Sequence, residues 1–566
     1  MHLVILGISS FVFDSSACLL IDGKLICAVQ EERFSREKNT GVFPEESIRF
    51  CLESNGLSIN DIDHVAFYWK PFIGLTDRIY QIFKTLPDSL QFWGSHSGKW
   101  IDMLNCERIL KRKFPGEHKF KFHNVLHHLS HAASGFLVSS YKDANILVMD
   151  GSGEIDSTSL CYGKGSNIEI VKSVKFPHSM GYAYVSITHY LGFKPDSDEY
   201  KVMALASMGK ESKYYEMFCD LIKLTKDGGY HFDLSFFNYH KGGRDPWVSD
   251  KFIQKFGPLR SKKETIEKRH QDIAWALQKR LEDVALHSVK YLKKIRPSDN
   301  LVITGGCGLN CIMNETLVKM SGYKNVSVNS APHDAGAAIG AAFWVQNNTL
   351  RNPRKFVFNS AFLGPEFSNQ EIKECLEKTD LKYIELKWEE LTKQVALHIR
   401  EKRIVGWFQG RTEFGPRALG NRSILADPTV KEMKDIINYR IKHREPFRPF
   451  APAILEEEVG NYFEENRSLP FMTFILKVKS NISQKIPAVV HFDDTARVQT
   501  VNKSINPQFH SLINEFEKLS GVPILLNTSF NDNGEPIVNT PSDAIKCFKQ
   551  TGLDYMAIGN YLVKGI

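Results

Sequence analysis

The chain opens as short apolar runs cut by tight polar turns. Leu3 to Ile8 reads as a buried strand, and Ala17 to Ile21 follows after Asp14-Ser15-Ser16. Asp22-Gly23 is a type I′ hairpin signal, so Leu25 to Gln30 returns beside it. Pro44-Glu45-Glu46 opens a helix reaching about Asn55. The same pattern recurs later. Asn145 to Met149 is a strand, Asp150-Gly151-Ser152-Gly153 a loop and Ser157 to Tyr162 a strand. Gly163-Lys164-Gly165 then turns into Ile168 to Val174. Each loop offers backbone N–H groups and a carboxylate near one point, which suits a metal-bound phosphate. A strand–loop–strand–turn–strand device used twice predicts an α/β, actin-like fold of two ribonuclease-H-like halves.

Between and after these devices the pattern turns helical. Ser179-Met180-Gly181-Tyr182 leads into a helix to Tyr190, and Asp198 to Met203 follows. Together they are read either as capped helices or as a pocket wall carrying Tyr182, Glu199 and Lys201. Tyr214 to Leu259 is aromatic and irregular, with Gly228-Gly229 and Gly242-Gly243, and reads as an insertion over the core. Glu264 to Ile295 is a long amphipathic helix whose Ile273, Leu277, Leu281, Val284 and Val289 face the interior. Leu301 to Thr304 is a strand entering Gly305-Gly306-Cys307-Gly308-Leu309-Asn310, where backbone can approach a ligand closely. The glycine spacing is not GxGxxG, so a dinucleotide site is not expected. Val326 to Val328 is another strand, and Pro332-His333-Asp334-Ala335-Gly336 opens a small-residue helix. The polar stretch Gln346 to Pro353 reads as a linker, dividing the chain into domains 1–350 and 351–566.

Composition narrows the class. With 566 residues, 42% hydrophobic and 24% charged, the chain is long enough for two or more packed cores. A net charge of +7 is mild at this length and does not call for nucleic acid. Ten scattered cysteines without a CxxC pair argue against a zinc ribbon and suit a reducing compartment, so a cytoplasmic protein is expected. The apolar start lacks a basic leader, and no apolar run reaches the roughly 18 residues of a membrane span.

Two constellations carry chemistry. His127 and His131 stand four apart, so on a helix both imidazoles share one face and can grip one divalent metal. Ala132, Ala133 and Gly135 add little bulk there. Asp334, on its own, reads better as a helix cap; beside a histidine pair in a duplicated fold it becomes the expected third ligand. The second constellation lies in the C-terminal part. Gly410 to Ser423 contains Arg411, Arg417 and Arg422, and Lys442 to Pro452 contains Lys442, Arg444 and Arg448. From Arg411 to Arg448 there are nine Lys/Arg against five Asp/Glu, interleaved with Phe447 and Phe450. That mixture predicts a concave site for a small anion. Asp494 to Gln499 is expected to place Arg497 on a strand. Ile524 to Asn531 is expected as a strand with Asn527 and Ser529 on one face.

Eight stretches in order, Gly7 to Pro44, His127 to Phe136, Ser179 to Met203, Gly305 to Asn310, Gly410 to Ser423, Lys442 to Pro452, Thr495 to Val501 and Leu526 to Pro541, resemble the O-carbamoyltransferases of the nodulation protein U and tobramycin carbamoyltransferase family. The resemblance implies a Kae1-like metal domain followed by a YrdC-like domain. In the second, ATP and carbamoyl phosphate would give carbamoyl-adenylate, with Lys442, Arg448, Arg497, Asn527 and Ser529 at the matching positions. Arg417 and Arg422 are further cation candidates there. In the first, His127, His131 and Asp334 match the metal ligands, with Fe(II), or another divalent metal, expected. Gly151, Gly305, Gly306 and Asn310 are candidates for holding the nucleotide, with Mg2+ a further candidate cofactor. The carbamoyl group would pass to a hydroxyl of a small-molecule or saccharide acceptor. Lys38 matches a family lysine. The family histidine before Asp14 is replaced by Phe13, which cannot move a proton, and His128 and His178 are the other bases considered. A threonylcarbamoyl-type tRNA enzyme and a non-catalytic metal- and nucleotide-binding scaffold are the alternatives, and a homodimer is left open.

Overall fold

In the computed structural model, strand β1 (Val4–Ser9) lies at the middle of a five-stranded sheet. β2 (Ser16–Ile21) and β3 (Lys24–Gln30) run on one side of it in antiparallel succession. β4 (His64–Phe67) and β5 (Lys121–Asn124) lie on the other side, parallel. The order is β3-β2-β1-β4-β5. A second sheet repeats it with β6 (Asp143–Met149), β7 (Asp156–Lys164), β8 (Asn167–Lys175), and, beyond a small hairpin of β9 (Ile222–Leu224) and β10 (Tyr230–Phe232), β11 (Asn300–Thr304) and β12 (Asn325–Ser327). Its order, β8-β7-β6-β11-β12, has the same pairing senses at each step. The device read twice in sequence is therefore two sheets of one topology. The structure describes residues 2–74, 76, 98–241 and 245–565; Gly242-Gly243 of the expected insertion lie outside the described residues.

The described residues form two compact units. The first comprises residues 1–31 and 39–357, the second 32–38 and 358–566. In the first unit two helices do most to shape the centre. Helix His127–Phe136 is buried along nearly its whole length, and helix Asp334–Trp344 is buried from Asp334 to Phe343. They cross at Gly340, where an added Cβ would come within 1.7 Å of the Ser130 carbonyl oxygen. Only a residue without a side chain permits that approach. Helix Lys268–Ile295 packs on helices Lys213–Leu221 and Glu199–Ala206; it begins four residues after the expected Glu264, with Glu267 as its N-cap.

The polar stretch after Trp344 begins inside the first unit and reaches solvent at Thr349, Arg351 and Pro353. Val345–Thr349 continues as one wide helical turn, and Gln346 and Asn347 are buried. These two residues, expected at the start of a linker, belong to the first unit.

In the second unit one eight-stranded mixed sheet runs in the order β13-β22-β21-β14-β15-β20-β16-β19. The strands are β13 (Tyr383–Glu385), β14 (Val405–Phe408), β15 (Arg422–Ala426), β16 (Ala451–Leu455), β19 (Gln499–Val501), β20 (Ile524–Ser529), β21 (Tyr555–Ile558) and β22 (Tyr561–Lys564). β17 (Leu476–Lys477) and β18 (Thr495–Ala496) make a separate ribbon. Helices Trp388–Arg400 and Pro507–Ser520 cover the sheet through Leu391, Val395, Ile399, Phe509, Leu512 and Phe516 packed around Trp407. Arg497 does not sit on a strand as expected: it falls between β18 and β19, which belong to different sheets.

Candidate functional site

Helix His127–Phe136 starts on a buried carboxylate. Glu154 takes the His127 backbone N–H at 3.0 Å and the Lys70 N–H at 2.8 Å. A carboxylate at the positive end of a helix is favourable, and here it fixes where the first imidazole begins. His127 and His131 then project one turn apart. Their Nε2 atoms face each other at 3.1 Å. The Tyr68 and Trp69 rings pack against His127, with centroids at 5.2 and 4.8 Å, and hold its plane.

Two carboxylates close on the same point. Asp150 Oδ2 lies 3.0 Å from His127 Nε2 and 3.1 Å from His131 Nε2. Asp334 Oδ1 lies 3.7 and 3.4 Å from them. The ligand atoms of the four residues fall within 4.8 Å of one another. Bonds of about 2.1 Å from one metal to ligands set at right or tetrahedral angles would separate those ligands by about 3.0–3.4 Å, close to the shortest spacings here. The donor set, two imidazoles and two carboxylates, suits a divalent transition metal. The other oxygen of Asp150 is locked: Gly151 N–H donates to Oδ1 at 2.8 Å and Gly306 N–H at 3.1 Å. Gly305, at φ +85°, makes this possible, since any side chain there would strike the Met149 carbonyl. Among the described residues the Nδ1 atoms of both histidines have no hydrogen-bond partner, so the polar contacts of these rings are made through Nε2.

The electrostatics follow from this crowding. Burial opposes charge on His131, yet Asp150 and Asp334 outweigh it and push its pKa up to about 9. Burial also opposes charge on Asp150, but the two imidazoles hold its carboxyl well below the usual range. The two carboxylates that favour a proton on His131 would equally favour a cation at this point.

Sequence reading placed the Asp150 carboxylate in a loop suited to a metal-bound phosphate but did not group it with His127, His131 and Asp334. The signal was its place after β6, matching that of Asp14 after β1 in the repeated device. Asn310, expected to touch nucleotide, is a helix cap instead: its Oδ1 accepts the Met313 N–H at 2.9 Å and its amide pairs with Gln278. His128 is buried against Ser159 Oγ at 2.7 Å, and burial drives its pKa well down. Of the expected wall, Tyr182 lies beside Gly151 and Lys201 pairs with Asp198 at 3.1 Å. Glu199 is half-buried, its carboxyl pushed up to about 8 by burial. His178 accepts the Phe232 N–H and stays neutral, burial and His231 bringing it down to about 4.

In the second unit the cations are arranged around loops. Buried Glu413 Oε1 accepts the N–H groups of Leu419, Asn421 and Arg422 at 2.9, 2.9 and 3.1 Å, closing the Gly410 to Ser423 stretch into a loop with half-buried Arg417 on it. Asn527 donates to Gln499 Oε1 at 2.8 Å and to the Ala418 carbonyl beside Arg417 at 3.3 Å. Lys442 is buried, and its Nζ donates to the Ser529 carbonyl (2.6 Å), the Asn531 carbonyl (2.7 Å) and Asn531 Oδ1 (2.7 Å). Burial, with Arg444 and Arg448 nearby, brings its pKa down to about 7, while three acceptors at that range are all satisfied only by the ammonium. Arg448 lies 3.7 Å from Glu445. Arg422 is turned inward: it is fully buried, donates to the Gln409, Asn421 and Pro365 carbonyls and stacks 3.6 Å from the Phe408 ring centre. As a ligand cation it is therefore a correction, since an all-buried strand points it into the core. Lys38 is exposed at the end of segment 32–38, which belongs to this second unit. In that segment Arg33 donates to the Gly415 carbonyl (2.8 Å), and Arg36 to those of Pro536 and Ile537 (2.8 and 2.7 Å).

Residues 4–343 match the family model described as carbamoyltransferase N-terminus, and residues 396–565 match carbamoyltransferase C-terminus. The chain belongs to the carbamoyltransferase family. It is 38% identical to an uncharacterized protein of Synechocystis sp. over 99% of this chain and 96% of that one. It is 34% identical to nodulation protein NolNO of Sinorhizobium fredii over 98% of this chain and 79% of that protein. Over 46% of its length, and 48% of the relative's, it is 37% identical to the 3'-hydroxymethylcephem-O-carbamoyltransferase of Amycolatopsis lactamdurans. The protein is thus an enzyme of carbamoyl transfer. No helix among the described residues is long and apolar enough to cross a membrane.

Proposed function

We propose that the chain is an ATP-dependent O-carbamoyltransferase working in two stages, with an actin-like, Kae1-like first unit and a YrdC-like second unit. In the second unit carbamoyl phosphate and ATP would give carbamoyl-adenylate. For pyrophosphate to leave, a carbamate oxygen must attack the α-phosphorus of ATP, so carbamoyl phosphate first gives its phosphoryl group to water. Arg417 and Arg448 are assigned to the phosphates, where guanidinium groups offset charge growing on pyrophosphate. Lys442 fixes the Ser529–Asn531 turn through its three hydrogen bonds. Asn527 anchors the Arg417 loop through the Ala418 carbonyl.

The observation that carries the reading is the His127, His131, Asp150 and Asp334 cluster in a chain of this family. Those four would hold Fe(II) or another divalent metal, which when bound supplies a Lewis acid for the phosphoryl oxygens of the adenylate. The chain's own part is to keep the shell in place: Gly151 and Gly306 orient Asp150, Glu154 fixes the start of the histidine helix, and Gly340 brings Asp334 within reach. The acceptor is a hydroxyl-bearing small molecule or saccharide.

The test is pyrophosphate exchange into ATP. Exchange that needs carbamoyl phosphate, persists in His131→Ala and is lost in Arg448→Ala supports the two-stage reading. Carbamoyl transfer that proceeds with no exchange and no ATP refutes it.

A further inference from the structure

A second cationic pocket lies in the first unit, formed by β8 and the β9–β10 hairpin. It has a volume of about 360 Å³ and is bordered by Lys172, Lys175, His178, Lys226, Asp227 and His231, among others. Its hairpin is pinned from behind by the long helix. Ser288 Oγ donates to the Gly228 carbonyl at 2.8 Å, and His287 Nε2 lies 2.8 Å from the Thr225 carbonyl oxygen. The pocket wall is thus preformed.

The charges do not cancel. Asp227, the acid lining the pocket, is already engaged: Lys172 Nζ bonds to one oxygen and Thr225 Oγ1 donates to the other at 2.5 Å. Lys175 and Lys226 are exposed at the rim, and Asp156 stands opposite Lys175 in the β7–β8 register. On the same lining the His178 and His231 rings sit 3.9 Å apart, centre to centre. His178 Nδ1 accepts the Phe232 N–H at 3.1 Å, so in the neutral ring Nε2 carries the hydrogen and offers a fixed donor. Two ammonium groups at the rim and an imidazole donor on the wall of an open hollow match a dianion. The volume exceeds that of a bare phosphate and leaves room for a small organic group.

We propose that this pocket binds the phosphate of a small phosphomonoester, at a site separate from the metal cluster. The chain continues from His178 directly into Ser179, whose Oγ donates to the Gly151 carbonyl at 2.7 Å. His178, on the pocket lining, is thus one residue from a contact with the loop that carries Asp150. The assignment stands without the two-stage reading, because binding is measured with no metal and no turnover.

The test is calorimetric titration of the full-length, metal-free protein with AMP and, separately, inorganic phosphate. The expected result is AMP binding with a component that weakens at least tenfold in Lys175→Ala/Lys226→Ala. Asp227→Asn, which frees Lys172, should tighten it several-fold, and Arg448→Ala should leave it unchanged. Inorganic phosphate should compete with AMP for the same site and bind more weakly. Equal AMP affinity in wild type and the double-lysine variant, or loss of binding in Arg448→Ala alone, would overturn the assignment.

Discussion

The two units treat charge in opposite ways. In the first, two imidazoles and two carboxylates from three distant segments converge until their ligand atoms lie within 4.8 Å. The two carboxylates that favour a proton on His131 would equally favour a cation there. In the second, several of the cations that stand out in sequence are spent on the protein itself. Lys442 holds the turn after β20, Arg422 is sealed in the core, and Arg411 donates to the Leu363 and Gly364 carbonyls. Converging ligands mark a site by their geometry, whereas a run of basic residues marks a region in which individual roles differ.

The largest expected effect breaks the first side of that contrast. His131→Ala should lower divalent-metal affinity at least about a hundredfold, as loss of a ligand exceeds the usual cost of a supporting partner, while carbamoyl-phosphate-dependent exchange stays within twofold. Metal titration and exchange assays read the two halves separately. Next, Lys442→Met should destabilise by about 3 kcal/mol, because three buried acceptors lose a charged donor; a thermal melt should show the second unit unfolding earlier and exchange falling with it.

A smaller effect tests how the ligands are brought together. Gly340→Ala should cost about 1–3 kcal/mol by forcing the two central helices apart, and metal affinity should fall even where the melt shows the protein folded. The smallest concerns pH. Burial raises the Glu199 carboxyl to about 8, so between its unfolded value near 4.5 and 8 the folded state binds more protons than the unfolded. Its contribution favours the fold below pH 4.5 and is lost as pH rises through 8. Glu199→Gln should therefore raise the melting temperature more at pH 8 than at pH 5, and an equal shift at both would count against a buried, perturbed carboxyl.

The same contrast explains what sequence could reveal. His127 and His131 were legible because helical spacing alone puts them on one face, and the doubled strand device foretold two sheets of like topology. Asp334 was legible only with the histidines. Asp150 was legible only as a loop carboxylate suited to a metal-bound phosphate, because nothing in its spacing ties it to the imidazoles until the fold brings them together. Arg422 and Asn310 were misread for the converse reason: sequence shows that a polar group is present but not which way it points. The amides of Gln346 and Asn347 misled similarly, being buried where a polar run suggested a linker. Arg33 and Arg36 lie far in sequence from the loops they hold, and no local pattern announced that segment 32–38 belongs with the second unit.

The most direct test of the central claim is metal stoichiometry on anaerobically Fe(II)-loaded, desalted protein. The account predicts one tightly held iron per chain in the wild type, and none in Asp150→Asn/His131→Ala at unchanged fold and exchange activity. Equal iron in both would contradict it.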